Sequence, residues 1–263
     1  MNLLIRREER VLRITLNRPA KRNALTAGMC SGIVHAITSA QTDANVGSIF
    51  LTSYGQVFCA GMDLDEAMES PDQALGQLHD QLFTIGARSL KPIVISVDGP
   101  ALGGGLGLVA QGHVVVAEPG AVFGLPEIRV GLWPFLVYRS VAEALGSRRA
   151  MQLSLTGSTF SAQEAMQWGL VHHVCYPPVD EQERGAAIAR DLAKASPRAI
   201  KAGMQYVRAS RGRSWSKAGE LAIALRDRVM ASQDFKEGYR AFKERRDARW
   251  PSLAAKPKDK EKK

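Results

Sequence analysis

Glu127 is the only carboxylate between Val122 and Val137, a run of apolar residues broken by glycine. Its neighbours Leu125, Ile128, Val130, Leu132 and Trp133 would strip water from the carboxyl group. That lifts its pKa from about 4.3 toward the range of a base that works near neutrality. Arg129, two positions on, offers the alternative of an ordinary ion pair. Twenty residues before Glu127 ends the segment Ala101-Leu102-Gly103-Gly104-Gly105-Leu106-Gly107. Glycines there let backbone N–H groups approach a ligand, and a helix start adds positive potential. A sharp bend or tight packing accounts for the triplet equally well. The segment lacks G-x-x-x-x-G-K-[ST], and G-x-G-x-x-G is not in register, so it is a poor phosphate loop. An acid beside exposed amide donors is enough to move a proton next to a carbonyl.

A second element is Phe58-Cys59-Ala60-Gly61-Met62-Asp63-Leu64. A backbone N–H from it, converging with one from the glycine segment, would make an oxyanion hole. Cys59 could be a nucleophile, but His79, His113, His172 and His173 are scattered and none lies in an activating motif. A small buried thiol is the simpler assignment.

The elements that must hold these groups follow from periodicity. Val11–Leu16 alternates and ends in the turn Asn17-Arg18-Pro19, 27–40 has helical spacing, and 46–52 reads as a buried strand. The pattern predicts an amphipathic helix over 75–89, a β-branched strand over 93–97, a helix over 106–110 and a strand over 114–117. Strands and helices alternating to about residue 175 predict α/β architecture with buried sheets. Ser161 with Glu164 forms a capping box, and Gly169 marks a stop. Ser196-Pro197 opens a helix to about 209, followed by helices over 216–231 and 234–248. The expected organisation is a core over 1–195, a helical region over 196–250 and a disordered charged tail over 251–263.

The 263 residues suffice for a large domain with a proper core. Three cysteines without metal-type spacing suggest reduced thiols in a cytosolic protein. Neither a secretory signal nor a membrane span is visible. The net charge of +9 is uneven: 196–250 carries 14 basic and 6 acidic residues, 251–263 carries 5 and 2, and 1–195 carries 16 and 18. Such asymmetry invites an anionic partner. Without a nucleic-acid motif or basic stretch interleaved with aromatics, solvated helix faces explain it better than nucleic acid.

Several of these segments together resemble the crotonase (enoyl-CoA hydratase/isomerase) superfamily. They are Cys59–Leu64, Lys91–Gly99 with Ala101–Gly105, and Phe123-Gly124-Leu125-Pro126-Glu127-Ile128 with Gly131-Leu132. Leu155-Thr156-Gly157, Ala162–Ala165, Gly169-Leu170-Val171, and Asn17-Arg18-Pro19 with Asn23-Ala24-Leu25 extend the likeness over roughly 10–250. The resemblance implies a spiral of ββα units, with C-terminal helices completing homotrimers that often pair into hexamers. It also implies chemistry on an acyl-CoA thioester through its enolate. On the matching positions the oxyanion donors are the N–H groups of Met62 and Gly104, and Glu127 is the acid/base. Coenzyme A contacts fall on Arg18, Lys21, Arg22, Ala60, Asp63 and Leu64, and on Phe242 and Arg245 of a neighbouring subunit's last helix. Among these, Asp63 matches an aspartate of structural role. No metal or redox cofactor is implied, because coenzyme A is part of the substrate.

The chain departs from the pattern where it matters for the reaction. Hydratases that it resembles hold a water between two glutamates; the second is Glu127, and the first falls on Gly107. An aspartate that some isomerases carry falls on Phe135, and Gln56 stands where a lysine is usual. Leu132, Trp133 and Phe135 replace a glycine-rich run and would narrow the acyl pocket. One carboxylate can take a proton from one carbon and return it to another, which favours a 3-enoyl to 2-enoyl shift over hydration. Hydration, another enolate reaction, and a non-catalytic acyl-CoA-binding or RNA-binding scaffold are the alternatives.

Overall fold

The computed structural model describes residues 1–69, 73–177 and 179–253. The chain divides into two compact units, Met1–Ala193 and Lys194–Lys263.

The first unit is built on two sheets. Strands β1 (Leu3–Glu8), β2 (Val11–Leu16), β3 (Ser48–Ser53), β4 (Ile93–Val97), β6 (Val114–Ala117) and β9 (His173–Val174) lie side by side in that order. The first pair is antiparallel and the rest parallel. β3 and β4 are buried along their whole length, as expected of central parallel strands covered on both faces. The smaller sheet joins β5 (Ala101–Leu102), β7 (Val122–Gly124) and β8 (Thr159–Ser161). Its register sets Ala101 opposite Phe123 and Leu102 opposite Gly124, so the glycine segment and the Glu127 segment leave adjacent strands side by side.

Helix α1 (Ala27–Ala40) buries Met29, Cys30, Ile33 and Ile37, and its N-cap Thr26 accepts from the Met29 N–H. Beyond β3 come α2 (Leu64–Glu69), α3 (Gln73–Leu82) and α4 (Ile85–Arg88), with α5 (Gly104–Val109) after β5. The unit closes with α6 (Phe135–Leu145), α7 (Ser147–Thr156), α8 (Ala162–Gln167) and α9 (Glu181–Lys194). Both halves of the Ser161/Glu164 capping box are formed. Among the described residues no helix is long and apolar enough to cross a membrane.

The first unit departs from the sequence pattern in two places. The first segment, Leu3–Glu8, is an edge strand that periodicity had not marked. The helix expected over 75–89 is broken at Phe83–Thr84 into α3 and α4. The break has a physical cause in Gln111, whose side-chain amide donates to the Phe83 carbonyl (2.8 Å) and accepts from the Gly86 N–H (3.0 Å). Thr84 Oγ1 also donates to the Asp80 carbonyl. Backbone groups that would continue the helix are satisfied elsewhere.

The second unit holds α10 (Pro197–Ser210), α11 (Trp215–Met230) and α12 (Gln233–Glu244). Ser196 caps α10, and its hydroxyl donates to buried Asp234 at 2.6 Å. The last helix stops at Glu244 instead of 248, with Arg245 at φ +52°. Glu237 draws the chain back by accepting from the Arg246 guanidinium (2.7 Å) and from the Arg249 N–H (2.9 Å). Residues 251–253, expected in a disordered tail, form a 3-10 turn held by Asp234, which accepts from the Ser252 N–H and hydroxyl. The remainder of that tail, 254–263, lies outside the described residues.

Candidate active site

The segment 58–64 is locked so that one amide faces away from its neighbours. Leu25 N–H donates to the Gly61 carbonyl (2.8 Å), and Asp63 N–H donates to the Leu25 carbonyl (2.9 Å). In a parallel pairing alternate residues bond to the partner, so the Met62 N–H is turned to the other side. The Gly104 N–H opens α5 and, being the first of the helix, has no intrahelical acceptor. Among the described residues neither N–H meets an acceptor. The two amides are neighbours: a Cβ placed on Gly61, which precedes Met62, would stand 3.4 Å from Gly104 N.

Gly103 connects this pair to the acid. It has φ +53°, the left-handed region that glycine tolerates, and a Cβ there would lie 2.9 Å from Glu127 Oε1. The carboxyl group therefore sits against the residue preceding the Gly104 donor, well within a side chain's reach of both amides. Pro126–Val130 forms a 3-10 turn closed by Gly131 at φ +74°, and this turn aims Glu127 inward. Glu127 Oε2 is buried and finds no hydrogen-bond partner among the described residues. Desolvation raises the Glu127 pKa above 4.5, with a smaller opposing pull from its own backbone. The ion pair with Arg129 does not form.

A cavity of about 390 Å³ joins these groups. Ala60, Gly61, Met62 and Leu64 line it on one side, Gly103 and Gly104 at its base, and Glu127 with Leu132, Trp133 and Phe135 along the wall. The three bulky residues thus line the cavity, and Phe135 is exposed. Leu25, His79 and Phe83 also line it and were given no place in the pocket from sequence. Phe83 and Val137 fill the space beside Gly107, where a Cβ would stand 2.8 Å from Phe83 Cδ1 and 3.1 Å from Val137 Cγ1. The signal that could have found His79 and Phe83 is their four-residue spacing, which puts both on one helix face. Desolvation lowers the His79 pKa, against a weaker opposing pull from Glu66.

The expected coenzyme A contacts divide. Arg18 and Asp63 are spent on each other: Arg18 Nη1 lies 2.5 Å from Asp63 Oδ2 and 3.2 Å from the Ala24 carbonyl, with both side chains largely buried. Their ion pair pins the 58–64 segment to the turn that holds Ala24. Lys21 is exposed and 3.7 Å from exposed Asp65. Arg22, at φ +52°, is exposed, and its carbonyl accepts from the Ala60 N–H. Phe242 and Arg245 lie in the second unit, both exposed. Cys59 is fully buried and burial pushes its thiol up to about 12, so it is not a nucleophile near neutral pH.

A family model described as enoyl-CoA hydratase/isomerase matches residues 6–253. Among curated relatives, a 2,3-dehydroadipyl-CoA hydratase of Escherichia coli is 35% identical over 93% of this chain and 96% of its own length. A trans-2-decenoyl-[acyl-carrier-protein] isomerase of Streptococcus mutans is 32% identical over 90% of this chain and 92% of its own. The crystal structure of an enoyl-CoA hydratase from Mycobacterium smegmatis superposes with a TM-score of 0.89 at 28% identity, covering 95% of this chain and 99% of that one. Fold, full-length match and relatives agree: the chain belongs to the enoyl-CoA hydratase/isomerase family and is a crotonase-type enzyme.

Proposed function

We propose that the protein isomerises a 3-enoyl-CoA to the 2-enoyl-CoA with Glu127 as its single acid/base. The thioester oxygen would lie between the Met62 and Gly104 N–H groups. As a proton leaves carbon 2, negative charge gathers on that oxygen, where each amide donor stabilises it by about 3–4 kcal/mol. Glu127 takes the proton and returns it to carbon 4, and no other carboxylate lines the cavity among the described residues. The observation that carries this reading is the buried, unpartnered Glu127 Oε2, together with a Gly107 whose surroundings are closed by Phe83 and Val137. The second carboxylate that would hold a water against Glu127 is missing, and Phe83 and Val137 fill the space its side chain would need.

Hydration is the second reading, supported by the hydratase names of relatives such as the Escherichia coli protein. An ultraviolet assay separates the two. Gain of conjugation from a 3-enoyl-CoA without loss of absorbance from crotonyl-CoA supports isomerisation. Fast hydration of crotonyl-CoA overturns it.

The expected assembly is a homotrimer or hexamer. Exposed apolar side chains of the second unit, Trp215, Ile223, Tyr239 and Phe242 among them, support burial by other copies of the chain.

A further inference from the structure

His79 is 7% exposed and lines the cavity that holds Glu127. It stands one aromatic ring away from the oxyanion donors. Its ring centroid is 6.0 Å from that of Phe83, and Phe83 Cζ would be 3.2 Å from a Cβ on Gly104. The same cavity is lined by the apolar groups Leu25, Phe83, Leu136 and Val137. Among the described residues the imidazole makes no hydrogen bond, and no step of the proton shuttle uses it.

We propose that His79 is a specificity-determining residue that hydrogen-bonds an uncharged oxygen, hydroxyl or carbonyl, on the acyl chain. The cavity would then favour acyl-CoA thioesters with an oxygen-bearing chain over hydrocarbon chains of the same length. The reasoning is one of satisfaction. A hydrocarbon chain entering the cavity strips water from the ring nitrogens and returns nothing, whereas an oxygen substituent replaces the lost bond. Burial keeps the imidazole neutral at pH 7, so it carries one N–H donor and one lone pair. That pairing suits a hydroxyl or carbonyl and gives no cation to neutralise a carboxylate. The proposal rests on the cavity being the acyl site, but not on which reaction occurs there.

Saturated thioesters make the test independent of turnover. Calorimetric titration of the full-length protein would compare hexanoyl-CoA with hexanoyl-CoAs hydroxylated at carbon 4, 5 or 6. At least one hydroxylated ligand is expected to bind about tenfold more tightly. His79→Leu should abolish or reverse that preference, and His79→Gln, which keeps a donor and an acceptor, should restore part of it. Equal affinities in the unaltered protein overturn the proposal, as does a preference that survives His79→Leu. If His79→Leu fails to fold, the unaltered protein and the glutamine variant still decide. Binding of none of these ligands overturns the acyl-site reading too, whereas loss of isomerisation alone with the hydroxyl preference intact sinks only the reaction.

Discussion

The Phe83 ring occupies the space that a side chain at Gly107 would need, with Cδ1 2.8 Å from the point where a Cβ would be attached. Val137 Cγ1 closes the other side at 3.1 Å. The absence of a glutamate at that position is therefore built into the packing around it, and restoring the residue alone would not restore a hydratase centre. Gly107→Glu is expected to destabilise the fold by about 1–3 kcal/mol through overpacking, read by denaturant melts, and to confer no hydration. Gly107→Glu with Phe83→Ala should recover part of the stability and show measurable crotonyl-CoA hydration. A single variant that folds normally and hydrates would refute the steric account.

Glu127→Gln removes the base and leaves the shape. Turnover is expected to fall by about 10³-fold, within the range for general acid–base groups, with acyl-CoA affinity kept. Steady-state kinetics beside calorimetry check both halves.

The same carboxyl group gives a pH signature. Desolvation raises its folded pKa above 4.5, and the base must be ionised to work, so kcat/KM should fall on the acid side with a midpoint above that value. Stability runs the opposite way. The folded state holds this proton more tightly than the unfolded one, so the group's contribution weakens as pH rises from the ordinary pKa through the raised one. Glu127→Gln lacks that penalty. It should melt higher than the unaltered protein above the window and match it below.

Arg18 and Asp63 should behave as a structural pair. The Arg18 hydrogen bond, helped by the Glu66 N–H, holds the Asp63 pKa below 3.8. Its stabilisation is present above the ordinary carboxylate pKa and fades as pH falls through the lowered one. A double-mutant cycle with alanine at both positions should give a coupling of about 1–2 kcal/mol at neutral pH. Loss of coenzyme A affinity without loss of stability would return Arg18 to the phosphate site.

Much of the frame was legible because it rests on local patterns. The β-branched runs 93–97 and 114–117 became β4 and β6 with the same ends, and the Ser161 and Ser196 caps mark real helix starts. Glu127 was legible because a carboxylate in an apolar run has few structural excuses. Strands of two or three residues such as β5 and β8 carry no period, so the small sheet that brings Gly103 beside Glu127 leaves no local trace. The break at Phe83–Thr84 depends on Gln111, some 28 residues away, and helix spacing alone runs straight through it. The partner of Arg18 was equally hidden, since the acid it meets lies 45 residues away in the chain.

Gln111 follows the last residue of α5 by two positions, and α5 begins with the Gly104 donor. Through its grip on the Phe83 carbonyl and the Gly86 amide, one six-residue helix fixes the polarising end of the cavity and the wall beyond it as a single rigid piece. Widening the chamber by shifting that wall would drag the donor out of line. Changes in substrate range are thus channelled into side chains carried by α3 and the 132–137 stretch, which can be exchanged while the backbone stays still.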